Sequence, residues 1–139
     1  MERMIRTLMI CVCALSCTSA QASNWIWVGT SGDNTTIEFI DTTTIRINNL
    51  IRSVWNKKTF KRHSSPDPAE PHRYWKTALV LATYNCATHV WRQEASTIYF
   101  EDGGAYSEPE SHFPTAWAHV RPDSSGEAIM KRLCVDLDT

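Results

Sequence analysis

The sequence predicts an α+β domain that is mainly β. It describes a single antiparallel sheet of about six strands, with a short C-terminal helix packed on one face and tethered there by a disulfide. Three observations predict it. Short apolar stretches rich in β-branched and aromatic residues recur along the chain, parted by Gly, Asn and Pro turn signals. One amphipathic segment near the end carries its own cap. Two cysteines, Cys86 and Cys134, remain once the leader is set aside.

That leader is residues 1–22. "MERMIR" supplies a basic start with Arg3 and Arg6, and "TLMICVCALSC" is an apolar run too short to span a bilayer. Ala20 and Ala22 then place small residues where a signal peptidase reads them, ahead of Ser23. "ALSC" ending at Cys17 is a second cleavage pattern, a loose lipobox with Ala14 where Leu is usual, which would make Cys17 a lipidated N-terminus. The expectation is an exported domain over residues 23–139, periplasmic or secreted, or an outer-membrane lipoprotein through Cys17. Removing 22 residues from 139 leaves 117, the size of one domain. Removing Arg3, Arg6 and Glu2 from 14 basic and 15 acidic residues leaves 12 against 14, so the charge asks for no nucleic-acid partner. No transmembrane helix is expected in the mature chain.

Within it, "NWIWVG" (24–29) reads as a strand running into the turn "GTSGDN". "TTIEFID" (35–41) alternates, with Ile37 and Phe39 facing one way and Glu38 the other. "TTTIRI" leads to the turn "NN" at 48–49, and "LIRSVWNKKTFKR" (50–62) is a long strand. "HSSPDPAEPH" (63–72) has three prolines and no large apolar residue, and reads as an exposed loop. "YWKTALVLATYN" (74–85) and "THVWRQEASTIYFE" (88–101) are the next strands. "DGG" (102–104) signals a hairpin toward Tyr106, and "AWAHV" (116–120) is a short final strand. The helix follows. Ser124 and Glu127 form a capping box, Ile129, Met130, Leu133 and Cys134 share an apolar face, and the helix should stop near Cys134. Trp27, Trp55 and Trp91 are read as core residues rather than an interface stripe.

Cys86 has three readings: nucleophile, zinc ligand or half of a disulfide. His89 falls on the opposite face of an alternating strand, which disfavours a Cys–His pair. Two thiols in an oxidising compartment pair by default, so the expectation is a Cys86–Cys134 bond. Such a bond ties down a helix too short to be stable alone.

The mature chain resembles the surface-adhesin protein E-like proteins of Gram-negative bacteria. The matching stretches are "WIWVG", "FIDTTTIR" with Asp41, Ile45 and Arg46, "VWNKKTF" with Trp55, and "YNCATHVWR" with Cys86, Ala87 and Arg92. "YFEDGG" and "WAHVRPDSSGEAIMKRLC", with Trp117, Val120, Pro122, Ser124 and Cys134, complete the series. The resemblance implies an antiparallel sheet whose C-terminal helix is tied to it by a disulfide, carried over to Cys86 and Cys134. It also implies a non-catalytic role, since the namesake is an outer-membrane adhesin that binds host extracellular-matrix and serum proteins.

The residues agree on function class. There is no nucleophile elbow, zinc-protease helix motif or phosphate loop, so no enzyme and no cofactor is expected. Five histidines are scattered. His112 and His119 could share a metal, but no third ligand has a telling spacing, and no metal is expected. "NTT" (34–36) fits a glycosylation sequon, which has meaning only in a eukaryotic secretory pathway. The candidate binding residues are Lys57, Lys58, Phe60, Lys61, Arg62, Arg73, Tyr74 and Lys76, around Trp75, on two strands that would converge at a hairpin end. The expected partner is a protein or a polyanion, host extracellular-matrix proteins included. A periplasmic structural or assembly role is the alternative, with a homodimer through exposed sheet edges as one form of it.

Overall fold

Eight strands form one antiparallel sheet in a computed structural model that describes residues 22–114 and 116–135. The expected leader, with Cys17, lies outside the described residues except for Ala22. In chain order the strands are β1 (Trp25–Thr30), β2 (Thr36–Asp41), β3 (Arg46–Asn48), β4 (Ile51–Phe60), β5 (Trp75–Asn85), β6 (Val90–Phe100), β7 (Ala105–Glu108) and β8 (Ala118–His119). The spatial order is β1-β2-β4-β5-β6-β7. Short β3 pairs with the first residues of β4, and β8 with the first residues of β6.

Local sequence explains the connections. Asn49 turns β3 into β4 and His89 turns β5 into β6, each with positive φ (53° for both), a conformation that asparagine tolerates better than most residues. Gly103 at φ 91° closes the β6–β7 hairpin, where a side chain would be strained. "TTT" forms a 3-10 turn, Thr42–Thr44, because the Asp41 carboxylate accepts from the Thr43 N–H at 3.0 Å and from its hydroxyl at 2.7 Å. The Pro-rich segment spans the open end of the β4–β5 hairpin and is pinned by a bridge between Pro66 and Tyr74.

Helix α1 (Ser125–Cys134) begins where its cap predicts. The Ser124 hydroxyl accepts from the Glu127 N–H at 3.2 Å. Glu127 does reach back, but its carboxylate accepts from the N–H of Asp123 at 2.9 Å and not from Ser124, one residue beyond the expected box. The amphipathic face is as expected: Ile129, Met130 and Leu133 are buried against Ile40, Val54, Ala78, Val80, Ala82, Tyr84, Ile98 and Phe100. Burying Ile129 and Leu133 stabilises by about 2–3 kcal/mol each. At the far end Cys134 is bonded to Cys86, with Cα atoms 5.6 Å apart. The helix is therefore capped at one end and covalently held at the other.

Two inward-facing assignments differ from the simple reading. In β2 the residues that face α1 are Glu38 and Ile40, while Ile37 is 39% exposed. The register decides this: Ile40 lies opposite Asn56 and Glu38 opposite Lys58, on the face of β4 that also carries Val54. Trp27 and Trp55 are the second departure. Trp27 is 62% exposed and Trp55 is half-buried on the side away from α1, whereas Trp91 packs against the core beside Tyr84, with ring centroids 6.4 Å apart.

Candidate functional site

Strand alternation sends half of each central strand away from α1. A row of directly opposed residues runs across four strands on that side: Trp27, Phe39, Lys57 and Leu79. Trp55 and Leu81 form the next row. Helix α1, the one α-helix among the described residues, packs on the other side. The charge on it is placed, not free. Lys57 Nζ sits 4.5 Å from the ring centroid of Trp25 and 5.0 Å from that of Phe39, a cation held between two aromatic faces. At the opposite end of the sheet the Arg92 guanidinium lies 4.9 Å from the Trp117 ring and pairs with Glu94 at 3.0 Å.

The sequence-derived basic set does not form a single surface. Lys57 faces the open side and Lys58 the helix side, where its ammonium meets Glu38 at 2.9 Å. Phe60 is half-buried and meets Trp75 edge-on at 5.7 Å. Arg73 is bound on several sides. It pairs with Asp102 at 2.8 Å and Glu70 at 3.6 Å, and its guanidinium lies 3.6 Å from the Phe100 ring centroid. Tyr74 is half-buried beside His63 at 4.7 Å, and His63 in turn pairs with Glu101 at 3.1 Å. Lys61, Arg62 and Lys76 remain exposed around the end of the hairpin.

Electrostatics reinforce these fixtures. The Gly104 N–H and the Arg73 guanidinium hold the Asp102 carboxyl below its usual range. For Asp41, 3% exposed, burial is the largest single influence and would raise the pKa. The hydrogen bonds from Thr43 and from the Asn24 N–H together outweigh it and leave the carboxyl below its ordinary value. Burial, with the neighbouring Glu38 charge, pushes the Tyr84 phenol up, so it stays protonated at any ordinary pH.

Sequence reasoning missed Trp25, Phe39 and Leu79 as partners of Lys57. The signal was available in the alternation of β1, β2 and β5, but only the pairing register shows that these residues line up. Among the described residues, no three His, Cys, Asp or Glu side chains are grouped to hold a metal, and no helix is long and apolar enough to cross a membrane.

No curated protein matches the chain by sequence. Solved structures of protein E from Haemophilus influenzae match the fold. Crystal form II gives a TM-score of 0.58 at 17% identity, over 81% of this chain and 90% of that one. The selenomethionine form gives 0.55 at 18% identity, over 79% and 86%. A family model, surface-adhesin protein E, matches residues 25–135, from the first residue of β1 to just past the disulfide-bonded end of α1. The chain belongs to the surface-adhesin protein E family.

Proposed function

We propose that this protein is an exported, non-catalytic binding protein of the adhesin type, and that a host matrix or serum protein docks on the uncovered face of the sheet. Trp27 carries the reading. A tryptophan 62% exposed, in a row with Phe39 and the aromatic-flanked Lys57, is costly to leave in water and is the chemistry from which protein interfaces draw their binding energy. Membership of an adhesin family supports the same class of activity and export to or beyond the envelope. A polyanion is the second ligand class, favoured by the exposed Lys61, Arg62 and Lys76 at the hairpin end.

The test is surface plasmon resonance of the mature chain over immobilised matrix and serum glycoproteins, with heparin as the polyanion. Trp27→Ser should weaken protein binding about tenfold. Charge reversal at Lys61, Arg62 and Lys76 should act on heparin and leave the protein ligand alone. Absence of binding to every member of the panel, with no labelling of the protein on intact cells, would reject the adhesin reading in favour of an envelope-assembly role. A dimer by light scattering that Trp27→Ser dissolves would assign the face to a second copy of the chain.

A further inference from the structure

The two outer strands of the sheet are unlike. β7 is four residues long and ends in Glu108. β1 runs for six, Trp25–Thr30, with no charged residue and no proline, the usual guards of an exposed edge. Its backbone points both ways in turn. The Asn24 carbonyl accepts from the Thr42 N–H at 3.0 Å, so Asn24 turns this group toward β2. In an antiparallel ladder every second residue does the same. That assigns Ile26 inward and leaves the N–H and C=O of Trp25 and Trp27 pointing out of the sheet, before a bulge between Trp27 and Gly29 ends the regular ladder. Among the described residues no strand takes them up.

Beside this edge stands a charge without a counter-charge. Lys58, Arg73, Arg92 and Lys131 each meet a carboxylate. Lys57 makes no ion pair among the described residues. Its ammonium instead crosses β2 to lie 4.5 Å from the ring of Trp25, on the edge strand itself.

We infer that the partner is held by strand addition: an extended segment of it pairs with β1 through Trp25 and Trp27, packs an apolar side chain on the Trp27 indole, and sets a carboxylate on Lys57. This rests on the docking face proposed above and names the chemistry that fits it. Main-chain pairing supplies affinity, while Trp27 and Lys57 supply choice. A Glu side chain spans the spacing of about 4.8 Å between a new strand and β1, where the ammonium sits. A neutral or basic segment would leave Lys57 without its counter-charge. A second copy of the chain is the poorer occupant, because β1 has no carboxylate to offer.

The experiment is a two-dimensional amide NMR titration of the mature chain with a capped heptapeptide of alternating Thr and Val whose central Val is replaced by Glu. Two controls accompany it: the same peptide with Gln at the centre, and the Glu peptide methylated on two successive backbone nitrogens, which blocks both of its edges. The expected result is saturable shifts of the Trp25 and Trp27 amides and the Trp27 indole, half-complete below about 10 mM. The Gln peptide should bind about fivefold more weakly, and the methylated peptide should not bind. Lys57→Met should make the Glu and Gln peptides equal. No saturable shift with the Glu peptide, equal binding of the methylated one, or a Glu preference that survives Lys57→Met would each overturn strand addition. Trp25 and Trp27 amides already protected from exchange in a dimeric free protein would overturn it too, giving the edge to a second copy. The docking face falls by a separate result, matrix and serum proteins whose binding ignores Trp27→Ser.

Discussion

The ammonium of Lys57 stands 4.5 Å above the ring of Trp25, on an open sheet face where both could have been left to solvent. An exposed contact of this kind is worth about 0.5–1 kcal/mol. Lys57→Met keeps the aliphatic stem and deletes the charge. Urea unfolding should show a loss of no more than about 1 kcal/mol, and a larger loss would mean that the cation is organising the face.

Ile37 and Ile40 are three residues apart in one strand and have opposite fates. Ile40 is fully buried under α1, whereas Ile37 is 39% exposed. Ile40→Ala should therefore cost about 2–4 kcal/mol and Ile37→Ala less than about 1 kcal/mol. Equal losses in thermal or chemical denaturation would contradict the register.

The Cys86–Cys134 bond closes a loop across 48 positions. Replacing both with serine should lower stability by up to about 4 kcal/mol. Hydrogen exchange should show the effect concentrated at Ile129, Met130 and Leu133, because a helix of ten residues has little stability once untethered. Uniform loss across the sheet would mean the bond serves the whole domain.

Asp41 supplies a pH dependence with a definite sign. Its folded-state pKa is depressed, so the unfolded chain binds the proton more readily. The stability contributed by the ionised carboxylate is present above the unfolded value, near 3.8, and is lost as pH falls through the folded one. Asp41→Asn should cost about 1–2 kcal/mol at pH 7 and much less at pH 3. Unfolding curves at the two pH values read this directly.

Ser124→Ala removes the acceptor for the Glu127 N–H and should cost about 1 kcal/mol. Because Glu127 bonds to Asp123 and not to Ser124, the second half of the cap should survive. The amide of Asp123 should then keep its exchange protection in the variant.

What could be read from sequence followed from local chemistry. Ser124 and the Ile129–Leu133 spacing marked the helix, turn residues marked the hairpins, and the expectation of an oxidising compartment paired the cysteines. What could not be read depended on register. Glu38 and Asn56 are polar residues on a buried face, and alternation alone assigns the buried side to Ile37 and Phe39. Only the pairing of β2 with β4, which sets Ile40 beside Val54's face, reverses that choice. The basic candidates were dispersed for a related reason. Lys57 and Lys58 are neighbours in sequence and point through opposite sides of the sheet. Very short β3 exists only because a longer strand accepts it, and three residues carry no period of their own, whereas β8 falls inside the stretch 116–120 read as a short strand.

The position of Cys134 also orders events in time. Strands β6, β7 and β8 and all of α1 must be synthesised after Cys86 before its partner exists. The strands through Glu108 all precede Cys134 in the chain, and Cys86 follows directly on β5. The cross-link can close only once every strand and the helix have been made, so it locks an arrangement whose parts are all already present.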